Sequence, residues 1–364
     1  MRILAAVAVA VTWFTVQANA QTVIPNDVSC ERCRIVSQKL ARLGDFDGPG
    51  ALPRQALIVT VDGRNRFWVG TGAVPFIFDS TGRFLRSAAR RGGGPGEIEG
   101  GGVPSPLPGD SMLVVDNVAA RATVFDAAFR PIRTISIPRV LATATPIRWP
   151  DRVMFNSNIQ TRELFGVPLH LIDLSGQIAE ILRSSNGHNR DRSLPPASPP
   201  RSKFALTADG RVWAAEESIY RLTQWSEDFE PIRVLVRKPS WWKQPSINLL
   251  GTRTTPPLPH IRDVSIDEDG LLWLFIHTPR STWREIWSRI PEDAVEIRMD
   301  QLNPVDLFDT LIEVIDLSAA RVVARARLSE YTVSALPGRR VATHAESPEG
   351  VPYVLIRRLS VAGW

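Results

Sequence analysis

Phe76-Ile77-Phe78-Asp79-Ser80-Thr81-Gly82-Arg83-Phe84-Leu85 decides the fold: an apolar strand ending in Asp, a tight turn, and a second apolar strand. The unit returns along the chain. Thr123-Val124-Phe125-Asp126 leads to Ile132–Ile135, and His170-Leu171-Ile172-Asp173 leads to Ile178–Ile181. Thr223-Gln224-Trp225-Ser226 leads to Ile232–Leu235 with Ser in place of Asp, and Glu313-Val314-Ile315-Asp316 leads to Arg321–Ala324. Successive spacings are 47, 47, 53 and 90 residues, the last being one period plus insertions. A second unit interleaves. Val59–Gly63 turns into Arg66-Phe67-Trp68, Ala205–Gly210 into Arg211-Val212-Trp213, and Val264–Gly270 into Leu271-Leu272-Trp273. Its Asp-Gly pairs predict tight hairpins in which glycine takes the positive φ. The recurrent Trp predicts a shared packing slot.

Four short strands per period of about 45 residues is the pattern of a β-propeller blade. Helical periodicity is nearly absent, so the expected class is all-β, a single six-bladed β-propeller over residues 21–364. The blades fall near 51–91, 101–138, 140–183, 203–236, 260–328 and 331–360. Five are complete. The last has three strands, Tyr331–Leu336, Arg339–Thr343 and Val351–Leu359, before the sequence stops. The N-terminal strand Arg34–Leu43 is expected to supply its outer strand. Gly48-Pro49-Gly50 follows that segment as Gly94-Pro95-Gly96-Glu97 follows the first outer strand, and Pro49 and Pro95 lie 46 residues apart. Closing the ring removes exposed sheet edges.

These residues carry a resemblance. The Gly-Pro-Gly-Glu connector, Gly48-Pro49-Gly50 and the Cys-x-x-Cys leading into the first long strand resemble exported bacterial six-bladed propellers related to the NHL type. The resemblance spans residues 21–364 and implies fold and compartment rather than chemistry.

The N-terminus reads as a targeting segment. Arg2, the apolar run Ile3–Val16 and Ala18-Asn19-Ala20 form a signal peptide cleaved after Ala20. The run is short of the ~20 residues of a membrane span, so an N-terminal anchor is the weaker reading, and no Cys stands at the cleavage point for a lipid. No later stretch spans a membrane. A periplasmic or secreted location follows. The charge is +5, with 43 basic and 38 acidic residues. The basic residues, mostly Arg, are scattered rather than clustered, so no nucleic-acid partner is expected.

In a propeller, hairpins one-to-two and three-to-four share one rim, here the turn face. Hairpins two-to-three and the connectors between blades share the other, the loop face. All the long segments fall on the loop face: Ser184–Ser202, Arg237–Pro259 and Thr278–Phe308. The first is polar, with Pro195-Pro196 and Pro199-Pro200, the composition of a mobile linker. The second carries Trp241-Trp242-Lys243, which could stack on a sugar or clamp a peptide, or instead plug the gap between blades. In the third, Trp283, Ile286, Trp287 and Ile290 have helical spacing and predict a short amphipathic helix capping the ring, by core packing or as a partner groove.

Catalytic patterns are missing. Glu97, Glu99, His260, Asp263 and Glu330 fall near the channel mouth without ligand spacing, so no metal and no cofactor is expected. His170, His188, His260, His277 and His344 lie in different blades or loops. There is no G-x-S-x-G elbow. Gly92–Gly96 lacks the Lys-Ser/Thr of a phosphate loop and reads as a tight crossing between blades. Arg90, Arg91 and Glu97 flank it as solvated charges or, more sharply, as an anion site. Cys30 and Cys33 are expected to form a local disulfide. A c-type haem would need His where Arg34 stands, and a redox pair would want a helix N-terminus.

The expected function is binding or scaffolding. A protein, peptide or glycan would be held on the loop face by Trp241, Trp242, Lys243 and Trp283, with Arg90, Arg91, Glu97 and His260 as further candidates. The rival reading is a metal-dependent propeller enzyme of the lyase or lactonase kind, with its metal over the channel near His260 and Glu97. A cell-surface sensor or adhesion module is a third.

Overall fold

The computed structural model describes residues 21–53, 55–107, 109–137, 145–149, 152–156, 169–172, 178–181, 202–207, 209–226, 231–243, 249–291 and 302–364. It opens on β1 (Gln21–Val23) and β2 (Arg34–Leu43). The first sheet comprises β3 (Ile58–Val61), β4 (Phe67–Gly70), β5 (Phe76–Phe78) and β6 (Phe84–Ser87). The second comprises β7 (Val103–Pro106), β8 (Met112–Asp116), β9 (Arg121–Phe125) and β10 (Pro131–Ser136). The third comprises β11 (Thr145–Trp149), β12 (Arg152–Asn156), β13 (Leu169–Ile172) and β14 (Ile178–Ile181). The fourth comprises β15 (Ser202–Leu206), β16 (Val212–Glu216), β17 (Arg221–Trp225) and β18 (Pro231–Val236), and β1 joins it as a fifth strand. The fifth comprises β19 (His260–Ile266), β20 (Leu271–Pro279), β21 (Phe308–Asp316) and β22 (Arg321–Leu328). Between β20 and β21 the described residues form two short helices, α1 (Trp283–Ser288) and α2 (Pro304–Leu307). The last sheet comprises β23 (Thr332–Leu336), β24 (Arg340–Glu346) and β25 (Pro352–Ala362), with β2 antiparallel to β25.

Each sheet is built on an antiparallel meander, which β1 extends in parallel in the fourth and β2 completes in the last, and burial grades outward across the first and second. Second strands β4 and β8 are buried at every residue, as is β20 up to Thr278, because sheets cover them on both sides. Of the outer strands, β10 is exposed at five of its six residues and β6 at two of its four. The apolar clusters lie between consecutive sheets. One joins Trp68 and Ile77 to Met112 and Phe125, another Trp213 and Leu222 to Leu272 and Ile276, and a third Trp273 and Ile312 to Val341 and Leu359. This is the all-β propeller arrangement, with the core divided among the gaps between sheets.

One turn geometry recurs. At Asp62, Asp79, Asp126, Thr207, Asp267 and Ser347, residue i accepts from the N–H of i+3 and donates to the carbonyl of i+4. In each turn residue i+3 has positive φ: Asn65, Gly82, Phe129, Gly210, Gly270 and Gly350. That is a type I turn closed by a bulge. The first Asp-Gly pair departs from expectation. The frame starts at Asp62, so Asn65 rather than Gly63 takes the left-handed position, at φ 60°. In the Asp and Ser copies the side-chain oxygen of residue i caps turn amides, whereas the Thr207 hydroxyl donates instead, to the Asp209 carboxylate and the Arg211 carbonyl. Asp79 Oδ1 accepts from the N–H groups of Thr81 (2.9 Å) and Arg83 (3.0 Å).

At Asp62 and Asp267 the second carboxylate oxygen also accepts from the indole N–H six residues on, Trp68 at 3.0 Å and Trp273 at 2.8 Å. The recurrent Trp therefore has a fixed slot, buried between sheets and tied to its own turn. Trp213 occupies the equivalent place, where Thr207 replaces the Asp.

The bond from the Thr81 hydroxyl and the two turn amides hold the Asp79 carboxyl below its ordinary range, although burial opposes them. Such a group stabilises the fold while ionised and loses that contribution as the pH falls through its lowered value. Asp79→Asn, which keeps an acceptor oxygen but cannot titrate, should therefore soften the acid-side loss of stability. Urea denaturation at a series of acidic pH values measures this, and an unchanged acid slope would count against the carboxylate cap.

Candidate functional site

A set of polar residues comes together at the loop-face ends of the fourth, fifth and last sheets. β19 starts at this rim with His260. A bulge between Ile261 and Asp263 shifts its register, setting His260 directly opposite His277 of β20 and leaving Arg262 without a ladder partner. Arg262 is free to reach along the rim. Its guanidinium donates to the carbonyls of Thr332 (3.2 Å), Val333 (2.8 Å) and Leu57 (2.9 Å), linking the fifth, last and first sheets. Asp263 accepts from the N–H of Ala335 at 2.7 Å and from its own neighbour Val264 at 2.9 Å. Burial pushes its carboxyl above the ordinary range, against those bonds and the nearby Lys203 and Arg262 charges.

The fourth sheet supplies Lys203, whose Nζ lies 3.9 Å from Glu217. The Glu217 carbonyl accepts from the Ile261 N–H at 2.8 Å, fixing the β16–β17 loop to the start of β19. Trp241 and Trp242 stand beside that loop. The Trp242 indole donates to the Ser218 carbonyl at 3.3 Å and packs edge-on to Tyr220 and to Trp241, at 5.3 and 5.6 Å between ring centroids. Both tryptophans are half-buried against the core between the fourth and fifth sheets, and Lys243 beside them is exposed. The pair therefore plugs a gap and also presents part of its surface at the rim. His277 is fully buried, with its ring 4.1 Å from that of Tyr331 and 5.6 Å from that of Phe308. Burial lowers the affinity of both histidines for a proton, most strongly at His277, where neighbouring His260 adds to the effect.

The other expected candidates lie elsewhere. The helix predicted over Trp283–Ile290 is present as α1, but Trp283 is buried with Trp287, Ile290, Leu302 and Leu307. A ligand cannot stack on it while that packing holds, because the helix turns its aromatic face inward. Arg90, Arg91 and Glu97 sit between the first and second sheets. Glu97 accepts from the Gly94 N–H at 2.9 Å inside its own turn, and Arg121 donates to the carbonyls of Gly92, Gly93 and Glu97. The glycine run is thus a crossing clamped by an arginine. Glu330 pairs with Arg357, and the Glu99 N–H donates to Asp116 at 2.8 Å. Among the described residues no three His, Cys, Asp or Glu side chains are placed to share a metal ion. His344 pairs with Glu346 in the last sheet. His188, with the rest of 184–201, and residues 244–248 lie outside the described residues. Cys30 and Cys33 form a disulfide at the start of β2, on the turn face, with Cys33 buried against Trp273 and Leu359.

His260 and Asp263 were visible in the sequence as isolated polar residues. Lys203, Glu217 and Arg262 were not, and His277, expected to lie apart from His260, instead stands opposite it in the same sheet. The one available signal was the hairpin turn at Asp267–Gly270. Counting back from it without the bulge pairs His277 with Ile261, so the histidine pair depends on a bulge that no residue pattern announces.

No helix among the described residues is long and apolar enough to cross a membrane. No protein-family model matches the chain, and no curated protein resembles it in sequence. Solved structures do. A member of the DUF4221 family from Bacteroides vulgatus is 11% identical with a TM-score of 0.61, covering 91% of this chain and 98% of its own. A protein from Bacteroides fragilis described as exported is 10% identical with a TM-score of 0.56, covering 93% of this chain and 99% of its own. Virginiamycin B lyase from Staphylococcus aureus is 11% identical and covers 89% of this chain and 99% of its own, at a TM-score of 0.44, too low to carry an argument. At these identities the likeness is one of fold: this chain is built as a β-propeller.

Proposed function

We propose that this chain is an exported, six-bladed, NHL-like propeller that holds a protein, peptide or glycan on its loop face, at the junction of the fourth and fifth blades. The observation carrying this reading is the half-exposed pair Trp241–Trp242 beside Lys243, Glu217 and Lys203, on loops set by a rigid scaffold. Aromatic rings next to charged groups supply stacking surface and hydrogen bonds together, the combination that such ligands need.

Three observations support a closed ring of six blades. Among the described residues the strands pair into one five-stranded and five four-stranded sheets. β2 lies along β25 from Arg34↔Ala362 to Leu43↔Val354. One apolar cluster joins Leu43, Val59 and Phe78 to Val333 and Ile356, so the first and last sheets share a core. Export rests on the leader-like N-terminus, and sequencing of the secreted chain should begin at Gln21.

The test of binding is a glycan and peptide array probed with the intact mature chain, then repeated with Trp241→Ala. Loss of a rim aromatic from a binding hot spot should weaken the best hits about tenfold or more while leaving thermal unfolding nearly in place. Undiminished binding by the variant, or a loss of folding as large as the loss of binding, would sink the assignment.

A further inference from the structure

The histidine pair contains a proton-counting problem. Three contacts run in a line: His260 Nδ1 to the Leu258 carbonyl (3.1 Å), His260 Nε2 to His277 Nδ1 (3.2 Å), and His277 Nε2 to the Thr332 carbonyl (3.1 Å). Both ends face carbonyl oxygens, which only accept. Both outer ring nitrogens must therefore carry protons, and the central contact needs a third. Two neutral imidazoles own two. Every neutral arrangement leaves one contact with lone pair facing lone pair, in a buried setting where an unsatisfied polar contact is costly. Adding a single proton completes all three.

We infer that His260 and His277 form a latch that closes on taking up one shared proton from solvent, tying the 249–259 loop to the seam between the fifth and last sheets. The latch follows from the ring geometry whether or not the loop face binds a ligand. The weak end is Leu258. It is half-buried on the loop, whereas Thr332 is fully buried within β23. In the neutral state the Leu258 contact opens first.

The charged and titratable surroundings are mixed. Arg262 on β19 and Lys203 on β15 oppose the proton, Glu217 on the β16–β17 loop favours it, and Asp263 and the Tyr331 hydroxyl complete the set. Desolvation also opposes it, so the latch closes on the acid side of ordinary histidine titration and opens as the pH rises. Because the two rings share the proton, they titrate as one unit.

The test uses the intact chain labelled with ¹⁵N-histidine, following the ring nitrogens through a pH titration. His260 and His277 should shift together in one step below the ordinary histidine range. Hydrogen exchange in 249–259, corrected for the intrinsic pH effect, should slow about fivefold across the same step, the worth of one recovered hydrogen bond. Rings that titrate separately, or that both stay neutral until the protein unfolds in acid, would overturn the latch. So would loop exchange that ignores the step. His260→Asn should abolish the exchange step, and its persistence in a folded variant would also overturn the proposal.

Discussion

Glu313→Gln should cost about 3–5 kcal/mol of stability, because it removes the counter-ion that two packed guanidinium groups share. Glu313 and the Arg237 side chain are fully buried. Glu313 Oε2 accepts from Arg237 and from the Tyr220 hydroxyl at 2.5 Å, and its Oε1 accepts from Arg325 at 2.6 Å. Tyr220 and Arg237 belong to the fourth sheet, Glu313 and Arg325 to the fifth, so the carboxylate fastens the two together. Burial and the adjacent carboxylate hold the Tyr220 hydroxyl firmly protonated, which makes it a donor here at any working pH. The guanidiniums also reach the N-terminal segment: Arg237 donates to the carbonyls of Pro25 (3.3 Å) and Asn26 (2.8 Å), and Arg325 to Asn26 (3.3 Å).

Against a typical total of about 5–15 kcal/mol, a loss of that size is large. Tyr220→Phe deletes one hydrogen bond and should cost about 1 kcal/mol. Replacing Glu313 and Arg237 together by apolar residues of similar size should recover part of the single-variant loss, since no lone charge is then stranded. Urea midpoints report all three. A Glu313→Gln variant no less stable than Tyr220→Phe would refute the buried-charge account.

Removing Gln21–Leu43 should abolish cooperative folding. The segment does three jobs along the outer edges of consecutive sheets. β1 pairs in parallel with β18, and Ile24 behind it is buried. Val28 bridges to Val322 on β22. β2 then completes the last sheet and buries Ala41 and Leu43 in the core shared with the first. Without it β25 becomes an open edge, a template for aggregation, and the buried Arg237 loses its carbonyl partners. A shorter deletion, Gln21–Asn26, should leave a folded chain with a lowered melting temperature, because β2 remains. Size-exclusion chromatography and thermal melts separate the outcomes, and a chain lacking Gln21–Leu43 that melts as sharply as the parent would contradict this assembly.

How far the sequence could be read depended on how local each feature is. The Asp-turn hairpins are written in adjacent residues, so the repeat around Asp79, Asp126 and Asp316 and the Trp slots were legible. The pairing of Arg34–Leu43 with the last strands was legible through a single offset, Pro49 to Pro95. β1 was not: Gln21-Thr22-Val23 is too short to carry a pattern, and its docking depends on Ile24 and on arginines more than 200 residues away. The site was the least legible part. The helical spacing of Trp283, Ile286, Trp287 and Ile290 did point to α1 and to core packing, and the structure buries Trp283 there, which removes it from the ligand-contact candidates. His260 reads as a lone histidine until a bulge brings His277 opposite. Burial, charge pairing and bulges are set by the neighbouring sheets, and a reading along one strand cannot see them.

The N-terminal strand β2 is an integral part of the last sheet. Hydrogen exchange on the intact chain, read by mass spectrometry for peptides covering Arg34–Leu43 and Pro352–Ala362, tests it most directly. Both segments should be protected to a similar depth and lose protection together under mild denaturant. Rapid exchange across Arg34–Leu43 beside a protected Pro352–Ala362 would contradict it.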